Sequence, residues 1–121
     1  MMSVRMDQNT YLILALKGFF GVILPFTSEI KIPYSKIDQV LTTQVQIDKT
    51  KTIKFVGIST TKRNIGIFYV VGKGKVFYAF YHKNRCITLK LRDEFKYKEI
   101  IVEVENKQRI AEEITSRIER K

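Results

Sequence analysis

The sequence predicts one small α+β domain, mainly β, of about seven antiparallel strands closed by a single C-terminal amphipathic helix. Three observations predict it. Apolar and polar residues alternate in short runs from about residue 11 to residue 104, turn residues separate the runs, and after Asn106 the period lengthens from two to about 3.6. A chain of 121 residues has room for one core, because two would each need about 50 residues or more. Residues 1–121 are therefore expected to form a single domain, with strands within about 11–104 and the helix over about 106–120. No internal repeat and no Pro/Gly/Ser-rich linker interrupts the chain.

Residues 11–17 form the first expected strand, followed by an irregular stretch around Gly18 and Gly21. Residues 29–33 form the next, with Ile30 and Ile32 alternating with charge until Pro33 ends it. Residues 34–37 read as one turn that drops Ile37 into the core, and 38–47 as a long alternating strand with Val40 facing inward. Two further strands, 51–58 and 64–71, flank a polar, basic loop. Gly72-Lys73-Gly74 lies between aromatic and β-branched runs and predicts a hairpin, since tight reversals need positive φ. The returning arm is 75–82; its two alternating sets, Phe77 with Tyr81 and Val76 with Tyr78 and Phe80, predict one core face and one outer face. In 85–92, Ile87, Leu89 and Leu91 alternate with Cys86, Thr88, Lys90 and Arg92; in 98–104, Ile100, Val102 and Val104 oppose Glu99 and Glu103. Asn106 is a good N-cap, and Ile110, Ala111, Ile114 and Ile118 share one helical stripe.

The formal net charge of +10 is unevenly placed. Residues 1–48 carry four bases and four acids, 49–98 carry 13 bases and two acids, and 99–121 carry five bases and six acids. A field so concentrated attracts phosphates, anionic headgroups or acidic protein faces, although lysines also serve simply as solubilising groups. The candidate contacts for an anionic partner are Lys49, Lys51, Lys54, Lys62, Arg63, Lys73, Lys75, Lys83 and Arg85. The apolar run 11–26 is the one segment that suggests a membrane span. It carries Lys17 and Pro25 and falls short of the roughly 20 apolar residues a spanning helix needs, so a buried strand plus connection is expected rather than an interfacial hairpin. A lone Cys86 and the absence of a signal-like N-terminus predict a reducing, cytoplasmic location, with peripheral membrane attachment as the variant.

The segment Ile32-Pro33-Tyr34-Ser35-Lys36-Ile37-Asp38-Gln39-Val40 resembles the early "I-x-Y-x-x-I-x-x-V" pattern of bacterial and archaeal pleckstrin-homology-like domains. Residues 66–72, 76–81 and 100–105 resemble the second half of those domains, so the resemblance covers about residues 11–121. It implies two near-orthogonal sheets in a partly open barrel, with the terminal helix plugging one end through Ile110, Ile114 and Ile118. Many members lack an assigned function, some are attached to membrane helices, and some related domains assemble into rings. Relatives that read phosphoinositides carry a basic cluster on the first hairpin; here only Lys17 and Lys31 lie there.

Catalytic chemistry finds little to work with. His82 is the only histidine, and His82 with Cys86 makes at most half of a four-ligand zinc site. No enzyme activity, cofactor or metal is expected. Residues 73–80 resemble the aromatic RNA-recognition consensus but miss it at three places. Were Tyr78 exposed beside Lys75, Lys83 and Arg85, it would offer a base-stacking platform; cross-strand packing with Phe68 and Tyr69 is the favoured alternative. The expected function is a non-catalytic module for protein contact or self-association. Peripheral binding to anionic membrane is the alternative, and weak non-specific nucleic-acid binding the third.

Overall fold

The computed structural model describes residues 2–7, 11–16, 29–43, 45–48, 50–59, 64–92 and 95–119. A first sheet contains β1 (Met2–Asp7), β2 (Tyr11–Leu16) and β3 (Glu29–Pro33), paired antiparallel in that order. A second sheet contains β4 (Ile37–Leu41), β5 (Thr52–Ser59), β6 (Asn64–Val70), β7 (Gly74–Phe80), β8 (Cys86–Leu91) and β9 (Glu99–Glu103), in the order β4-β8-β9-β7-β6-β5. The helix α1 (Lys107–Glu119) packs against β4, β8 and the 3-10 turn Tyr34–Lys36.

This architecture keeps the predicted class and corrects four details. The described residues form nine strands, with β1 preceding the expected first strand. The two sheets are separate and do not close into a barrel. The sheet is not wholly antiparallel: the chain leaves β8 and inserts β9 beside β7, parallel to it, with Phe77 opposite Ile100 and Ala79 opposite Val102. The expected long strand 38–47 stops at Leu41; beyond it the chain crosses the back of the sheet as an irregular strap.

The strap exists because the six-stranded sheet is apolar on both faces. Its front face, with Ile65, Phe77, Ala79, Ile87, Leu89, Ile100 and Val102, packs against Leu12, Leu14, Ile30 and Ile32 of the first sheet and Ile110, Ala111 and Ile114 of α1. Tyr34 and Ile37 join that core, as the turn over 34–37 predicts. The back face carries Phe68, Val76, Tyr78, Phe80, Cys86 and Ile101, and Val45 and Ile47 of the strap cover it. Lys107 Nζ donates to the Thr42 carbonyl at 2.9 Å, and Asp48 accepts from the Thr50 N–H at 3.0 Å, so both ends of the strap are pinned. Strands β7, β8 and β9 thus have no solvent face, which removes the one-sided alternation expected of them: Phe77, Tyr78 and Phe80 are all buried.

Leu12 and Leu14 of the apolar run are buried strand residues; the rest of the run, beyond Leu16, lies outside the described residues. Among the described residues no helix is long and apolar enough to cross a membrane. At the start of α1 the Ile110 N–H bonds to the Asn106 carbonyl at 3.1 Å, which places Asn106 at the N-cap position, with a φ of 55° that asparagine tolerates.

Of the four glycines with positive φ among the described residues, Gly72 and Gly57 show contrasting demands. Gly72 makes the predicted β6–β7 turn at φ 86°, closed by Lys73 N–H to the Val70 carbonyl at 2.9 Å. Gly57 lies directly opposite Gly66 in the β5–β6 ladder at φ 127°, where an added Cβ would stand 2.0 Å from the Ile65 carbonyl oxygen. Gly57→Ala is therefore expected to cost about 2 kcal/mol or more, whereas Gly72→Ala, with open space around its Cβ, carries only the positive-φ penalty of about 1 kcal/mol. Urea unfolding of the two variants checks this; equal losses would contradict the close backbone approach at Gly57.

Candidate functional site

The position of β9 organises the charges. Its two carboxylates, Glu99 and Glu103, are 5% and 3% exposed, although alternation alone placed them on an open face. Glu99 is bracketed by Lys73 Nζ at 3.0 Å, from the β6–β7 turn, and Lys90 Nζ at 3.2 Å, from β8. Glu103 closes the opposite end, accepting the N–H groups of Tyr81 at 2.7 Å and His82 at 2.8 Å, with His82 Nδ1 at 3.1 Å. Burial raises the Glu103 carboxyl, but the His82 and Tyr81 backbone N–H groups and the His82 ring together outweigh it, so the group sits below its ordinary value.

The candidate cations are not brought to one place. Lys51 lies where β5 begins, its carbonyl accepting the Val71 N–H at 2.8 Å. Lys73 and Lys75 lie at that same sheet end, and Lys54 three residues beyond Lys51. Lys75 Nζ stands 5.6 Å from the Tyr97 ring centroid. Lys83 and Arg85 lie in the 3-10 turn Lys83–Arg85, past the far end of β7. The seven residues of β7, at roughly 3.3 Å each, put the two groups about 20 Å apart. Lys49, Lys62 and Arg63 lie outside the described residues.

Beside the first group is a feature that alternation did not reveal. Ile53, Phe55, Tyr69 and Val71 are 54%, 58%, 40% and 55% exposed. Ile53 pairs directly with Tyr69, and the Phe55 and Tyr69 rings stack with centroids 6.2 Å apart. Ile65, Ile67 and Tyr69 alternate onto one face of β6; the first two are covered by the core and Tyr69 is not. The patch is thus the front face continuing past its cover, flanked by Lys51, two residues before Ile53, and by Lys75, which pairs with Tyr69; Lys54 pairs with Phe68 and lies on the other face. The hint in the sequence is the alternation of Lys51, Ile53 and Phe55 with Thr52 and Lys54 at the start of β5.

The residues weighed for chemistry have structural roles. Cys86 is fully buried; its thiol donates to the His82 carbonyl at 3.3 Å, and burial pushes it up to about 12. His82 is exposed at its ring and tied to Glu103. Tyr78 is 4% exposed, its ring 5.0 Å from Phe68 and its phenol pushed up to about 12 by burial, so it offers no stacking platform. Among the described residues no group of three His, Cys, Asp or Glu is placed to hold a metal ion.

A family model described as bacterial PH domain matches residues 16–118. No curated protein and no solved structure matches the chain.

The Glu103 site makes stability depend on pH with a defined sign. A carboxyl lowered by folding stabilises the fold in its ionised form, fully above its ordinary value of 4.5, and that contribution is lost as pH falls through the folded value. Glu103→Gln is expected to be about 1–3 kcal/mol less stable than the parent at pH 7, with the difference shrinking below about pH 4. Urea titrations at several pH values measure it; a difference that stays constant with pH would refute the role of the ionised carboxylate.

Proposed function

The chain belongs to the bacterial PH domain family, and from that membership we propose that it is a non-catalytic binding module that docks another protein on the outer face of the β5–β6 hairpin. The observation that supports this most is the gathering of Ile53, Phe55, Tyr69 and Val71, four half-exposed apolar side chains, on one hairpin and its following turn. Complete burial of one such side chain is worth roughly 1.5–3 kcal/mol, so covering the exposed halves of four is worth several kcal/mol toward association.

The face suits docking better than the strand edge does. Strand β5 is the end strand of its sheet, but a register shift between Lys54 and Val56 bulges it at Phe55, and Lys51 and Lys54 charge it. Bulges and lysines are the usual devices that discourage a further strand from pairing. A second reading, attachment to anionic membrane, draws on Lys51, Lys54, Lys73 and Lys75, each worth about 1 kcal/mol near a charged leaflet. Nucleic-acid binding, the third reading, loses the ring that the sequence offered for stacking, since Tyr78 is core. The buried, protonated Cys86 suits a reducing compartment such as the cytoplasm.

A photo-cross-linking residue at position 55, compared with one at position 83, tests the docking face in cells. Protein adducts are expected at 55, absent at 83, and lost when Ile53→Ser and Tyr69→Ser are added, while those exposed substitutions change stability by no more than about 0.5 kcal/mol each. Equal adducts at both positions would reject the face. Light scattering at rising concentration separates a second copy from another protein, and flotation with neutral and anionic vesicles reads the membrane alternative.

A further inference from the structure

The charge around the patch narrows the partner. Residues 49–92 contain no Asp or Glu, although that stretch supplies β5, β6, β7 and β8. Among the described residues, two acids reach the neighbourhood from elsewhere. Glu99 is committed to Lys73 and Lys90. Asp48 is bonded to Thr50, whose side chain and N–H, in that order, hold its carboxyl below the ordinary value, with a smaller contribution from the charge of Lys51. Lys51 and Lys54 have no ion-pair partner among the described residues, and Lys75 faces the Tyr97 ring. The apolar patch is thus flanked by Lys51 and Lys75, neither of which has an ion-pair partner among the described residues.

Resting on the docking face proposed above, we infer that the partner is a segment of a different protein that carries aliphatic or aromatic side chains flanked by carboxylates. The apolar side chains cover Ile53, Phe55, Tyr69 and Val71, and the carboxylates meet Lys51 and Lys75, the lysines on the same face. Complementary rim charge of this kind sets partner choice and encounter rate more than affinity. A second copy of this chain is a poor occupant, because it would bring two acid-free hairpins together at a net charge of +10 each. A bilayer is a poorer occupant than a protein surface: the patch stands on a strand-paired sheet face, with Ile53 opposite Tyr69, and membrane-seated segments present a continuous apolar face long enough to sink below the headgroups.

A random 12-residue peptide library selected on the whole chain tests this, with parallel selections on Phe55→Ser and on a Lys51→Glu, Lys75→Glu double variant, each shown by circular dichroism to be folded. The expected result is enrichment of peptides combining apolar residues with Asp or Glu. These peptides should bind Phe55→Ser at least about tenfold more weakly and lose a similar factor as salt is raised from low to physiological strength. The charge-reversed variant should enrich basic peptides instead. Phe55-dependent peptides with no acidic bias would overturn the inference and leave the docking face standing. Absence of any Phe55-dependent peptide, with Phe55-dependent binding to vesicles of phosphatidylglycerol and phosphatidylcholine, would overturn both and give the surface to lipid.

Discussion

Strand β9 lies between β7 and β8, parallel to the first and antiparallel to the second, and most of the domain follows from that placement. A strand with neighbours on both sides uses all of its backbone hydrogen bonds within the sheet, so only its faces remain to be covered. The front is covered by the three-stranded sheet and α1, the back by the strap that carries Val45 and Ile47. Each cover is a consequence of the apolar residues on both faces of β7, β8 and β9, because leaving either face open would expose several large side chains.

The same placement settles the electrostatics. A buried carboxylate is costly unless paired and hydrogen-bonded, and β9 carries one near each end. Glu99 is matched by lysines from the two flanking elements, and Glu103 by the backbone N–H groups that follow β7. Both carboxylates tie β9 to elements on either side of it, which fixes the register of the parallel pair. They also divide the basic surface: Lys73 and Lys90 are drawn inward to Glu99, while Lys51 and Lys54 at the outer hairpin and Lys75 on β7 are not.

That hairpin is where the cover runs out. Toward the end of the sheet order the front face passes from Ile65 and Ile67, under the core, to Tyr69, Ile53 and Phe55 in the open. An apolar surface maintained at the edge of a folded domain, bulged and charged so that strands do not add to it, has the properties of a docking face. The opposite sheet end, with Lys83 and Arg85, carries charge without such a patch.

The sequence by itself determined the class of the domain: local alternation, the Gly72 hairpin, the turn into Ile37 and the helical stripe of Ile110, Ala111 and Ile114 are properties of neighbouring residues, and each stands where the pattern puts it. It also carried the family resemblance and the uneven charge. The tertiary structure alone decided that β9 crosses to lie beside β7, that residues 42–48 leave the sheet, that Glu99 and Glu103 are buried, and that Phe55 is exposed while Tyr78 is not. These depend on which strands become neighbours, and period-two alternation is identical for a strand at the centre of a sheet and one at its edge. The patch on β5 and β6 was illegible for the same reason: an isoleucine, a phenylalanine and a tyrosine read as core until the position of the sheet's cover shows that they lie beyond it.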